Sequence, residues 1–206
     1  MKRLERPGAA AVALAAAILF ACLAHAVAFV PAAGFDLAVR GAVHACASPR
    51  LTYAMRGVTM MGAPAILVPL GILLVWRLAA AGRRRAGFLL AMAAVGGEAW
   101  DEGLKLLFHR VRPEAFFGLA QPENYSFPSG HSMESACFYG ALAMVAAAHT
   151  RSRARRAVVW AAAAVAIGGI GLSRIYLGVH YPTDVVGGYL AGAAWLGTLA
   201  AVLRPD

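Results

Sequence analysis

The sequence predicts an all-α integral membrane protein, six transmembrane helices in one bundle with both termini on the cytoplasmic side. Three observations carry that expectation. Of 206 residues, 61% are hydrophobic and only 14% are charged, whereas a soluble domain carries roughly 25% charged and 45–50% apolar residues. Six apolar stretches recur along the chain, each close to the roughly 20 residues that cross the hydrocarbon core. The basic residues cluster between alternate pairs of these stretches, as orientation in a bilayer requires. A soluble fold of this size would hold more apolar residues than one core can bury.

The first span, 9–30, has no formal charge and contains only His25. Its rival reading is a signal peptide, since MKRLER precedes it and Ala24-His25-Ala26 imitates a cleavage site. The apolar run continues to Val30, which favours a retained helix. Residues 35–55 form an outer loop with scattered apolar positions (Phe35, Leu37, Val39, Val43, Leu51, Tyr53), a pattern for a short helix lying on the surface. The second span, 57–76, lies between Arg56 and Arg77, with Pro64 and Pro69 expected to bend it. The third, 86–108, carries Glu98, Asp101, Glu102 and Lys105 in its second half. Acids at that depth are costly and mark function or internal pairing. In the linker 114–127, Phe116, Phe117, Tyr125 and Phe127 suit headgroup depth. The last spans are 131–148, 157–172 and 185–203, with Pro182 placed as the first residue of the sixth helix. Residues 1–206 thus make a single membrane domain, and the alanine richness suits close helix packing.

The net charge of +9 could indicate a nucleic-acid binder. Its distribution argues against one. Twelve of the 19 cations (Lys2, Arg3, Arg6, Arg77, Arg83, Arg84, Arg85, Arg151, Arg153, Arg155, Arg156, Arg204) fall in the segments that six spans would leave in the cytoplasm. Contact with anionic membrane lipid accounts for these runs, and nucleic acid is not an expected partner. The three cysteines, Cys22, Cys46 and Cys137, are far apart and form no disulfide framework or zinc ribbon.

Seven cations remain on the outer side, and three clusters there hold the chemistry. The first runs from Lys105 to Arg112-Pro113, the second is Pro128-Ser129-Gly130-His131, and the third is Ser173-Arg174 followed by His180 and Asp184. Lys105 is one of two lysines against 17 arginines, so a compact ammonium is specifically used at this span end. Its bland alternative is a snorkelling lysine paired with Asp101 one turn earlier. Arg112 and Arg174 present forked donors suited to phosphate oxygens, although alone each would be an interface anchor. Ser129 and Gly130 open a helix N-terminus, a natural anion site, or else Ser129 is a simple N-cap. Asp184, four residues after His180, can hold one ring nitrogen and leave the other free as a nucleophile. His25, His44, His109 and His149 are expected to be interfacial polar residues.

The ordered set KxxxxxxRP, PSGH and SRxxxxxHxxxD resembles the signature of the type 2 phosphatidic acid phosphatase (PAP2) superfamily, and every signature position matches between residues 105 and 184. The resemblance implies that His180 attacks phosphorus, that Asp184 orients it, and that His131 protonates the leaving group and later activates water. It implies phosphate binding by Lys105, Arg112, Ser129, Gly130 and Arg174, with no metal or other cofactor. The acids Glu98, Asp101 and Glu102 are expected to position Lys105, although Glu98 has no counterpart in the motif. The expected substrate is a lipid phosphate held in the membrane of a bacterium, at a site facing the periplasm or exterior: phosphatidic acid, phosphatidylglycerol phosphate or a polyprenyl diphosphate. The motifs read the phosphate and not the tail. A lipid phosphotransferase would use the same site, and six spans alone would also permit a small lipid or anion transporter.

Overall fold

The computed structural model describes residues 7–29, 34–120 and 123–203. Lys2, Arg3, Arg6, Val30 and Arg204 lie outside these residues. The regular elements among the described residues are helices: α1 (Pro7–Phe29), α2 (Gly34–Ala45), α3 (Pro49–Met60), α4 (Pro64–Ala80), α5 (Arg84–Phe108), α6 (Gly130–Ala148), α7 (Arg153–Tyr176) and α8 (Pro182–Val202). By length and composition, α1, α7 and α8 can each cross a membrane, and the pair α3–α4 qualifies as a fourth, broken span. α5 and α6 have 25 and 19 residues, but the polar residues in their site-proximal halves (Glu98, Asp101, Glu102 and Lys105; His131 and Glu134) keep them below that composition.

Two expectations about the first third of the chain are corrected. The stretch 57–76 is not one bent helix. The chain breaks between Met60 and Pro64, and the two helices meet at 42°. Ala63 is extended (φ −80°, ψ 142°) because the residue before a proline is pushed out of the α region, and Pro64 then starts α4. Pro69 sits inside α4. The outer loop 35–55 contains not one short helix but α2 and most of α3. Ser48 caps α3 through a side-chain oxygen that accepts from the Leu51 amide.

The core lies where α5, α6 and α8 meet, with Leu89, Leu90, Ala93, Met133, Cys137, Phe138 and Ala141 buried. Close approach depends on glycine: Gly96 faces the Trp195 ring and Gly140 faces Leu196. The indole of Trp195 donates to the Met92 carbonyl at 3.1 Å. α1 continues unbroken through Ala24-His25-Ala26 and packs along α8, where Gly197 meets Ala13. Phe127, expected at headgroup depth, is fully buried within the protein, stacked on Phe20 and edge-on to Phe108.

Two connections then bring the polar clusters to one end of the bundle. α5 stops at His109, whose left-handed backbone (φ 48°) turns the chain while its amide still bonds the Lys105 carbonyl. α7 stops at Tyr176, and Gly178 (φ 76°) turns the chain under Phe116, where a Cβ would clash. Tyr176 also anchors α3, its hydroxyl 2.8 Å from Thr52 Oγ1. At the opposite end of the bundle Arg83 Nη2 contacts His149 Nδ1 at 2.7 Å, and Arg156 donates to the Thr150 carbonyl.

Candidate active site

His180 lies in the turn between α7 and α8 and is almost completely buried. Pro182 starts α8, as its fixed φ favours, and this places Asp184 at the third helical position. There its carboxylate caps the helix by accepting from the Tyr181 amide at 2.8 Å. The same Oδ2 stands 3.4 Å from His180 Nδ1. On the other side of the ring, Arg112 Nη1 donates to His180 Nε2 at 2.9 Å. A guanidinium can only donate, so Nε2 carries the lone pair and the ring proton sits on Nδ1, facing Asp184. Burial pushes the imidazole down to about 4, against the pull of Asp184 and with help from the positive charge of Arg112 and Arg174. The ring is therefore neutral at ordinary pH.

Arg112 is held as a fork. Nε and Nη2 donate to the Asn124 carbonyl and side-chain oxygen at 2.8 and 2.6 Å, and Nη1 also reaches the Val179 carbonyl at 3.1 Å. Burial lowers its affinity for a proton, and the charges of Asp184 and Asp101 offset this only in part. Arg174, near the end of α7, donates to Thr59 Oγ1 at 2.8 Å, and its buried Nε has no protein partner. Lys105 is buried against Asp101 and lies 3.1 Å from Glu102 Oε1. The pairing with Asp101 is thus realised, and it leaves the ammonium beside the start of α6.

Ser129 precedes α6, but its hydroxyl does not cap the helix. It accepts from Ser132 Oγ at 3.0 Å, while its amide donates to the Asp184 carbonyl at 3.0 Å. That last bond ties α6 directly to the turn bearing His180. Gly130 packs closely against the polar side chains, since a Cβ there would sit 2.7 Å from Asp101 Oδ2 and 3.2 Å from Lys105 Nζ. His131, one residue on, lies within electrostatic reach of Arg174, His180, Lys105 and Arg112. All eight site residues named from the sequence therefore converge on one end of the bundle, from α5, α6, α7, α8, the 109–129 segment and the turn between α7 and α8.

Other residues belong to this cluster and carry no motif. Ser126 donates to Asp184 Oδ2, and Arg110 donates to Asp184 Oδ1. Asp36 on α2 accepts from Arg110 Nη2 at 2.8 Å. Of these, Arg110 alone had a sequence signal, as an outer cation that topology left unexplained. Glu98, whose role the sequence leaves open, hydrogen-bonds Glu134 on α6, whose carboxylate also faces Gly130. The acids gather around an ammonium, and no group of three or more His, Cys, Asp or Glu among the described residues has metal-binding geometry.

Comparison with known proteins identifies the family of the chain. Residues 84–205 match the PAP2 superfamily. Phosphatidylglycerophosphatase B of Bacillus subtilis is 34% identical over 159 residues, covering 76% of this chain and 77% of its own. Undecaprenyl-diphosphatase of Sulfolobus acidocaldarius is 28% identical over 59% of this chain and 56% of its own. The crystal structure of a transmembrane PAP2-type phosphatidylglycerolphosphate phosphatase from Bacillus subtilis superposes with a TM-score of 0.83 at 30% identity, covering 93% of this chain and 95% of that one. With the matched segment holding every residue of the cluster from α5 to α8, the chain belongs to the PAP2 superfamily of membrane lipid phosphatases.

Proposed function

We propose that this protein hydrolyses phosphate mono- or diphosphate esters of lipids at the extracytoplasmic face of a bacterial inner membrane, through a phosphohistidine on His180. It does so as one domain, residues 1–206, with six spans and both termini in the cytoplasm. The observation that carries the reading is the His180 ring, with a carboxylate behind Nδ1 and a guanidinium at Nε2. The relatives named for phosphatidylglycerophosphate and undecaprenyl diphosphate support a lipid phosphate or diphosphate as substrate.

The geometry supports the following chemistry. A phosphoryl group draws Arg112 away from Nε2 and meets Arg174, whose Nε lacks a partner, together with Lys105 and the first amides of α6. His131 takes up a proton as the phosphate's negative charge arrives beside it; Nε2 then attacks phosphorus as the bond to the lipid oxygen breaks, and His131 gives that oxygen its proton. Asp184 balances the positive charge that develops on the His180 ring. His131 next takes a proton from water, the resulting hydroxide displaces Nε2 from phosphorus, and inorganic phosphate leaves.

Purified protein in detergent is expected to release phosphate from such lipids with excess chelator present. Absence of release from every lipid monophosphate and diphosphate offered would overturn the reading. His131→Gln is expected to lower kcat by about 10²–10⁴-fold, the contribution of a positioned acid–base group. The pH profile supplies an independent check. Because the His180 ionisation is lowered, the nucleophile stays neutral until pH falls through about 4. The acid limb of kcat/KM, once the substrate's own ionisation is divided out, is expected near 4 and not near 6.5.

A further inference from the structure

Asp184 receives more than a single nucleophilic histidine requires. Its Oδ2 accepts from the Tyr181 amide and the Ser126 hydroxyl, and its Oδ1 accepts from Arg110. The Arg110 guanidinium does not stop there. Nη1 also donates to Thr183 Oγ1 at 2.8 Å, Nη2 donates to Asp36 Oδ2 at 2.8 Å, and the plane lies 4.4 Å from the Tyr181 ring centre. Asp36 in turn accepts from the Thr183 amide at 3.0 Å and the Thr183 hydroxyl at 2.7 Å. Asp36 and Asp184 are both fully buried.

One buried cation thus bridges two buried carboxylates. An Arg110–Asp184 pair alone would be neutral and would have little charge to offer His180. With Asp36 included, the group keeps one net negative charge, which is what a ring bonded to phosphorus at Nε2 and protonated at Nδ1 needs beside it. Resting on the phosphohistidine reading above, we infer that Arg110 and Asp36 are positioning residues for catalysis: Arg110 fixes the Asp184 carboxylate behind His180, and Asp36 offsets Arg110 so that Asp184 retains its charge for the histidine. The α2 helix, outside the segment that matches the superfamily, thereby reaches into the catalytic centre.

The charges facing His180 come from Asp184 on α8, Arg112 in the 109–129 segment, Arg174 on α7 and His131 on α6, with Lys105 on α5 acting on His131. Arg110 and Asp36 act from behind Asp184. Removing the positive charge of Arg110 makes these surroundings more negative, and removing the negative charge of Asp36 makes them more positive.

The test uses the full chain in detergent and compares Asp36→Asn, Arg110→Gln, the double variant and Arg110→Lys. Each single neutral variant is expected to lose about 10- to 100-fold in kcat, with KM changed less than about threefold, as for groups that orient a reacting residue without touching substrate. Arg110→Gln is expected to move the acid limb of kcat/KM upward, and adding Asp36→Asn to it to move the limb back down. Arg110→Lys is expected to regain most of kcat and the parent profile. Unchanged kcat in both neutral variants, a limb that moves the same way for both, or a Lys variant as impaired as Gln would each overturn the inference. Breaking a buried ion pair is destabilising; if Asp36→Asn does not fold, the direction of the Arg110→Gln shift and the Lys rescue decide. His180→Ala run alongside separates the two levels. Activity in that variant defeats the phosphohistidine reading itself, whereas an inactive His180→Ala beside unaffected Asp36 and Arg110 variants defeats only this inference.

Discussion

His180→Gln is expected to release lipid phosphate more slowly by on the order of 10⁴-fold or more, while the protein stays folded and inserted. The expected size follows from what the side chain does. Glutamine fills much of the same volume and can still reach Arg112, so substrate binding and packing are largely kept. It has no nucleophilic nitrogen, so the route through a covalent intermediate closes. What remains is direct attack by water in a site that still stabilises charge. The measurement is single-turnover phosphate release, with circular dichroism as the control for folding. Residual activity within tenfold of the parent would remove His180 from the nucleophile role.

Gly188→Ala is expected to cost about 3 kcal/mol or more of stability and most of the activity. At this position α8 crosses the start of α6. A Cβ on Gly188 would lie 2.6 Å from the Ser129 carbonyl oxygen, 2.9 Å from Ser132 Cβ and 3.0 Å from the Met133 amide nitrogen. Two of these are backbone atoms within or beside the first turn of α6, so no rotamer change relieves the clash. The helices must separate, and the Ser129 amide then leaves the Asp184 carbonyl. That bond joins the two halves of the site, so stability and turnover are expected to fall together. Gly168→Ala is the contrast, because its Cβ would meet nothing within 4 Å. Thermal unfolding of both variants in detergent checks the difference; equal midpoints would contradict it.

These two positions differ in how far the sequence alone exposed them. His180 was legible because its chemistry is written at short range: a carboxylate four residues on, a proline that starts the helix between them, and cations left over once topology had taken its share. Lys105 and Asp101 were legible for the same reason, being one helical turn apart. Gly188 carried no such signal. A glycine in an apolar helix reads as small-residue packing, and only the crossing partners Ser129 and Met133, far earlier in the chain, show which backbone it must admit. Asp36 was hidden more deeply. It stands in a stretch read as an outer loop, 74 residues from Arg110 and 147 from Thr183 in sequence. Contacts across such distances leave no periodic trace. The broken α3–α4 pair was half legible: the proline was seen, but its effect falls on the preceding residues and splits the helix there.

The central claim is the covalent bond between phosphorus and His180 Nε2, and quenched turnover of phosphorus-labelled lipid phosphate tests it most directly. The account predicts label on the peptide containing His180, stable in alkali, lost in acid and absent from His180→Gln. Sustained phosphate release with no label on that peptide, or label that survives acid on a serine, would contradict it.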